Sequence, residues 1–375
     1  MESMFAVELQ QGLERDYDIK VSLNDIKSIT IKQLKDFEVG KQEELRAFAE
    51  QIRIAREKLS KTKFVIPNES HSRLNNIKTG KPIYFLPPLE GIFASLEGLA
   101  ERLNRPVIGL NWTKDMENLR SIKDITDYYT NLLKSIHPSG DYDIVGHFYG
   151  ALIAMRMLKK RAPIGRAVII DVLSDTRLDD HLLDNDQLID LITRFISKDL
   201  PQVMKDRLTR EVKIRPDLNG KLQRISSEVK EFVGKSLVSK DLDEILSNAF
   251  RRAKLFVSYR LNMKKKFKQL KRNVGQKYLQ MNGRLLIVKP HELAEDDINQ
   301  KNTFDRIRDS YFLPEKVWHL KRCLMPFLMP FPLNFDVFFQ GLEGRLNFET
   351  VDTNPEDFSA KAFEMIANKI NSYLS

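Results

Sequence analysis

The chain has 375 residues, 42% of them hydrophobic and 30% charged. That composition can build a sizeable core and argues against a chain disordered throughout. One cysteine, Cys323, excludes an internal disulfide and a cysteine-based zinc site. No apolar run approaches the ~20 residues that cross a bilayer, and the charge-rich start MESMFAVELQQGLERD lacks a signal-peptide pattern. The expectation is a soluble, cytoplasmic protein of a reducing compartment.

In chain order, residues 1–37 read as three short helical pieces. Phe5, Leu9 and Leu13 form one helical stripe, and Ser22 and Thr30 are candidate caps for the second and third pieces. A charged helix is expected over 41–60, with Leu45, Phe48, Ala49, Ile52 and Leu59 on one side, and a polar linker over 61–80. From residue 81 the pattern changes. PIYFLP (82–87), PVIGLN (106–111), YDIVGH (142–147) and AVIIDV (167–172) are short apolar runs, as strands buried on both faces of a parallel sheet require. Helical segments such as 121–136 separate them, which predicts an α/β fold. Residues 178–280 are helical only and interrupt the sheet like a lid. Strand signals return at RLLIVK (284–289) and FDVFFQ (335–340), and a last helix is expected over 356–373. The expected domains are therefore 1–37, a charged helix and linker over 38–80, and one large α/β domain over 81–375.

The net charge of +9 comes from 61 basic and 52 acidic residues. Residues 251–277 hold eleven Lys/Arg and no Asp/Glu; removing them leaves 50 against 52, a balance of −2. The stretch fits a solvated helix face with Leu255, Phe256 and Tyr259 packed inward. The competing reading is an interaction module in which this basic patch meets an acidic partner such as a carrier domain. No nucleic-acid-binding motif accompanies it.

The most informative stretch is Tyr142-Asp-Ile-Val-Gly-His-Phe-Tyr-Gly-Ala-Leu. Gly146 and Gly150 bracket three residues between a strand and a helix, the frame of a G-x-S-x-G nucleophile elbow. The central residue is Phe148, which carries no nucleophilic atom. His147 and Tyr149 flank it but face away from the point of an elbow. Ser174, His291 and His319 are weaker candidates in loops or strand ends, and Cys323 lies far along the chain.

The segments KPIYFLPPLEGIFASLEGLAERLNRPVIGLNW, DYDIVGHFYGALIAMRM and AVIIDVLSD, in that order over about 81–175, resemble the C-terminal thioesterase domain of animal fatty acid synthase. The segment MESMFAVELQQGLERDYD resembles the second helix of that synthase's acyl carrier domain, a likeness that continues through SLNDIKSITIKQL, with Ser3 at the phosphopantetheine serine, Glu2 for its Asp and Met4 for its Leu. Because the carrier's first helix is not in this sequence, the segment reads as a partial carrier domain. Phosphopantetheine on Ser3 is the cofactor the resemblance implies, and none is expected in the hydrolase domain. No metal site is expected.

The resemblance implies an α/β-hydrolase fold with a helical lid. It places Asp171 as the triad acid, Phe148 at the nucleophile position and Gly344, after the last strand, at the base position. Backbone N–H groups of Leu89 and Tyr149 fall at the oxyanion hole. With nucleophile and base replaced, the expectation is an inactive thioesterase homologue that binds a fatty acyl thioester, an acyl chain or an acyl carrier. The alternative is an active acyl-carrier thioesterase with an atypical site.

Overall fold

A computed structural model of the chain describes residues 2–17, 23–26, 42–62, 64–159, 162–170, 185–196, 200–234, 241–270, 284–290, 346–351 and 360–375. They group into two compact units, one of residues 1–65 with 184–250 and one of residues 66–183 with 251–375.

The second unit carries a seven-stranded sheet. Its strands are β1 (His71–Arg73), β2 (Ile83–Phe85), β3 (Val107–Leu110), β4 (Tyr142–His147), β5 (Ile164–Ile170), β6 (Arg284–Pro290) and β7 (Leu346–Val351), in the order β1-β3-β2-β4-β5-β6-β7. β1 runs antiparallel to β3 and every other pairing is parallel. All residues of β2 and β4 are buried, as expected of central strands in a parallel sheet. The predicted strands at 82–87, 106–111, 142–147, 167–172 and 284–289 overlap β2 to β6, residues 171–172 lying outside the described residues.

Two strands have no counterpart in the sequence pattern. β1 lies within the stretch read as linker; its sequence His-Ser-Arg is polar and it has one neighbour, so it carries no apolar signal. β7, Leu-Asn-Phe-Glu-Thr-Val, alternates apolar and polar residues at the other edge of the sheet. The signal at 335–340 lies outside the described residues.

Helices pack on this sheet. A short helix α4 follows β2 (Glu97–Ala100), α5 spans Ile122–Ile136, α6 spans Tyr149–Lys159 and the last helix, α11, spans Ala360–Leu374. At the start of α5 the Ser121 hydroxyl accepts the Asp124 N–H at 3.1 Å, a capped N-terminus in the predicted place. Residues 151–155 of α6 are all buried, and half-buried Arg156 donates to the Tyr259 hydroxyl at 3.1 Å. On α11, Phe363, Ile366, Ile370 and Leu374 join Leu96, Leu99 and Leu103 over Ile83, Phe85, Val145 and Val168 to form the core on one face of the sheet. Gly98 allows the close approach there, since a Cβ would stand 2.8 Å from the Phe363 ring.

The N-terminal ends of the central strands are tied by charge. Asp143, fully buried on β4, accepts from Arg105 at 2.6 Å, Lys81 at 3.1 Å and Arg166 at 3.3 Å. Arg105 also donates to the Leu374 carbonyl at 2.9 Å, which fixes the end of α11 beside the same cluster.

The first unit is helical. It holds α1 (Glu2–Tyr17), α2 (Leu23–Ile26), α3 (Gln42–Lys61), α7 (Asn185–Ile196), α8 (Gln202–Lys213), α9 (Leu218–Val233) and the first turns of α10 (Leu242–Leu270). α9 packs on α2, α3, α7 and α8. Its apolar face is Leu222, Ile225, Val229 and Phe232, all buried. Arg56 of α3 donates to the Phe232 carbonyl at 2.9 Å and lies 5.0 Å over the Phe232 ring. Buried Glu228 of α9 pairs with Arg207 and Arg224.

Candidate active site at the carboxyl ends of the strands

In the sheet, β3 and β4 lie on opposite sides of β2. The loops leaving β2 and β4 therefore flank a topological switch point, where open α/β sheets bind ligands. Three of the candidate residues, Leu89, Phe148 and Tyr149, lie on these two loops.

The turn after β4 is as tight as the glycine frame implies. A Cβ on Gly146 would stand 2.4 Å from the Gly150 carbonyl oxygen, and one on Gly150 would stand 3.0 Å from the Leu86 carbonyl oxygen. Between them Phe148 adopts φ +47°, a left-handed backbone that a bulky residue rarely takes. Its N–H donates to the Ile170 carbonyl at 3.1 Å, locking the turn onto the end of β5. This strand–strained turn–helix geometry is that of a nucleophile elbow. At its point, where a nucleophile would act, a buried phenyl ring stacks on Phe256 of α10, with centroids 5.3 Å apart and planes 20° apart.

Tyr149 opens α6 and is buried. Burial pushes its phenol well above the ordinary range, so the hydroxyl stays protonated at neutral pH. His147 ends β4 and is buried too. After β2, Pro88-Leu-Glu-Gly91 forms a turn closed by the Gly91 N–H on the Pro88 carbonyl at 3.0 Å, with Gly91 at φ +77°. Among the described residues, neither the Leu89 N–H nor the Tyr149 N–H donates to another backbone group. Tyr149 is the first residue of its helix, where an N–H has no intrahelical partner.

Other expectations fall elsewhere. Asp171 directly follows Ile170 of β5 and lies outside the described residues, as do Ser174, His291, His319, Cys323 and Gly344. Gly344, the base position that the resemblance implies, is two residues ahead of the described strand β7 in the chain. β7 pairs in parallel with β6 at the edge of the sheet, so the segment after the last described strand is 352–359, Asp-Thr-Asn-Pro-Glu-Asp-Phe-Ser. That segment also has no histidine, and the last histidine of the chain is His319. Ser3 lies on α1, its side chain outside the described residues.

One residue of the site escapes a reading by composition. Arg252, a member of the basic stretch, is 1% exposed. Its Nε donates to the Leu89 carbonyl at 2.6 Å and its guanidinium lies 4.7 Å over the Trp112 ring. A Cβ on Gly91 would come within 2.8 Å of it, so the turn after β2 is glycine for contact as well as for backbone conformation. Burial lowers the Arg252 guanidinium to about 10, partly countered by Tyr149, Tyr129 and Glu90. The sequence does carry a signal for it: Arg252, Phe256 and Tyr259 share one helical face, and Phe256 is an expected inward residue. The neighbouring Lys254 is exposed, and Arg251 donates to the Leu119 carbonyl at 2.6 Å. Among the described residues there is no cluster of metal-ligating side chains.

With this geometry in place, similarity to known proteins can be read. Residues 81–210 match the family model of the Thioesterase domain. Over 179 residues the chain is 26% identical to the polyketide synthase PksR of Bacillus subtilis (strain 168), a stretch that is 47% of this chain and 6% of that protein. A solved four-domain nonribosomal peptide synthetase, bound to AMP and glycine, superimposes over 99% of this chain and 23% of its own, with TM-score 0.52 and 13% identity. The wild-type Vlm2 thioesterase domain matches 81% of this chain and 97% of its own, with TM-score 0.42 and 15% identity. The chain spans a small part of the length of the two synthases. The fold is that of the α/β hydrolases, and residues 81–210 are similar to thioesterase domains. No described helix is long and apolar enough to cross a membrane.

Proposed function

We propose that this chain is the thioesterase-like part of a carrier-dependent acyl synthase, of the animal fatty-acid-synthase type, and that it binds acyl chains or an acyl carrier without hydrolysing their thioesters. The observation that carries this reading is Phe148. The elbow keeps the strained backbone and the glycine contacts that present a nucleophile, yet it presents a phenyl ring stacked on Phe256. An aromatic ring cannot attack a carbonyl. The adjacent Tyr149 cannot replace it, because burial holds its phenol protonated.

The base is argued from sequence: neither Gly344 nor 352–359 supplies a histidine, which leaves Asp171 as an orienting acid with nothing to orient. The backbone donors at Leu89 and Tyr149 remain suited to an acyl carbonyl oxygen, so binding can outlast chemistry. The partner is an acyl carrier or its acyl thioester, and Ser3 on α1 is the position at which phosphopantetheine would attach. Cytoplasmic placement belongs to the same reading.

The test is turnover of a carrier-bound acyl thioester by the purified chain beside Phe148→Ala. Equal, background-level release from both is expected. Release by the natural chain that Phe148→Ala loses would overturn the proposal in favour of an atypical active site. Phe148→Ser alone is expected to restore nothing, because no base stands ready to take the serine proton.

A further inference from the structure

Arg252 is a buried cation whose remaining donors are unanswered among the described residues. Its Nε is used on the Leu89 carbonyl, while Nη1 and Nη2 have no hydrogen-bond partner among the described residues. Glu90 is close enough to influence it electrostatically, yet Glu90 Oε2 is itself unpartnered there. An unpaired guanidinium inside a protein is costly, and such groups are ordinarily matched by an anion. The surroundings repeat the pattern. Trp112 Nε1, Thr113 Oγ1 and the Tyr149 hydroxyl are also buried and unpartnered among the described residues. Glu90, Trp112 and Thr113 lie on the loops leaving β2 and β3, and Tyr149 on the turn leaving β4. Buried apolar residues adjoin them along the chain: Leu89 precedes Glu90, Phe148 precedes Tyr149, and Phe256, stacked on Phe148, stands one helical turn from Arg252.

We propose that Arg252 is a carboxylate-binding residue, its two Nη groups receiving the ionised head of an aliphatic carboxylic acid whose tail lies against the apolar walls of the same site. A planar carboxylate matches the fork of a guanidinium with two parallel hydrogen bonds. Leu89 and Trp112 hold the fork in place from one edge and one face, so little rotamer freedom is lost when the acid binds. Among the described residues, the charged groups that act on Arg252 are Glu90 from the loop after β2 and Arg251 from its own helix, with the hydroxyls of Tyr129 on α5 and Tyr149 on α6. Glu90 competes for the guanidinium, so neutralising it strengthens acid binding. This inference rests on reading the elbow region as an acyl site, and adds that the site prefers the free acid over neutral acyl derivatives.

The experiment is calorimetric titration of the full chain with octanoate and dodecanoate, each beside the alcohol of equal length, and with inorganic phosphate as competitor. The acids are expected to bind about tenfold or more tightly than their alcohols. Arg252→Met should erase that preference while leaving alcohol binding, Arg252→Lys should keep only part of it, and Glu90→Gln should tighten the acids. Equal affinity for acid and alcohol in the natural chain, or no binding of either, overturns the proposal. So does an acid preference that survives in Arg252→Met, or phosphate displacing the acids at equal concentration. The natural-chain comparison decides the matter even where Arg252→Met does not fold. Thioester turnover is read separately: turnover with the acid preference intact refutes the non-hydrolytic reading alone, and background turnover with no acid preference refutes this one alone.

Discussion

Asp143 and Arg252 are both almost fully buried in the sheet-bearing unit, one at the N-terminal ends of the strands and the other beside the loops at their carboxyl ends. Asp143 is surrounded by three cations that it can satisfy at once, from β5 beside it and from the residues just ahead of β2 and β3. Arg252 has one carbonyl, one indole face and two nitrogens with no hydrogen-bond partner among the described residues. A closed cluster of that kind fastens strands together. An open one stores recognition capacity and costs the fold something until a ligand arrives. The contrast separates the end of the sheet that holds the structure from the end at which we place the ligand.

Breaking the closed cluster should have the largest effect. Asp143→Ala leaves Arg105 and Arg166 without the carboxylate they share and Lys81 with exposed Asp141 alone, and a loss of about 4 kcal/mol in denaturant unfolding is expected. A loss under about 1 kcal/mol would mean that the cations find water instead. Phe148→Ala, at the other end, removes a buried ring and its stack on Phe256 and should cost about 3 kcal/mol, read the same way. The measurement says whether the elbow has been turned from a strained reactive point into a packed one.

Arg252→Met should behave unlike Asp143→Ala. Its folded-state guanidinium is lowered to about 10, below the ordinary arginine range, so the folded chain holds that proton less firmly than the unfolded chain does. The penalty is therefore fully present at neutral pH and is relieved only as pH rises through the folded value toward the unfolded one. Removing the charge offsets the lost bond to Leu89, and unfolding without ligand should stay within about 1 kcal/mol of the natural chain. Ser121→Ala, which removes the cap of α5, should cost about 1 kcal/mol in the same assay.

The smallest effect expected is at exposed Asp141, whose carboxyl is held below the usual range by its hydrogen bond to Lys81. Its contribution is present above the ordinary carboxylate pKa and lost as pH falls through the folded value. Asp141→Asn should remove ~0.5 kcal/mol or less of acid sensitivity, because solvent screens the pair. Asn is tolerated at the positive φ found there.

The inner strands are legible in the sequence because β2 and β4 are buried on both faces and read as unbroken apolar runs. The edge strands are not. β1 is three polar residues, and β7 alternates in a way that stands out less than the aromatic run before it. The elbow is legible because two close backbone approaches admit only glycine. Arg252 is hidden for a different reason: composition counts an arginine as surface charge, and only the spacing from Phe256 puts it inside. The base position remains a reading of the sequence alone, because Gly344 lies outside the described residues.

The central claim is that an elbow built to present a nucleophile now presents a ring that binds and does not react. Single-turnover release of an acyl group from its carrier, compared between the natural chain and Phe148→Ala, tests it most directly. The account predicts the same background release from both; release by the natural chain that disappears in Phe148→Ala would contradict it.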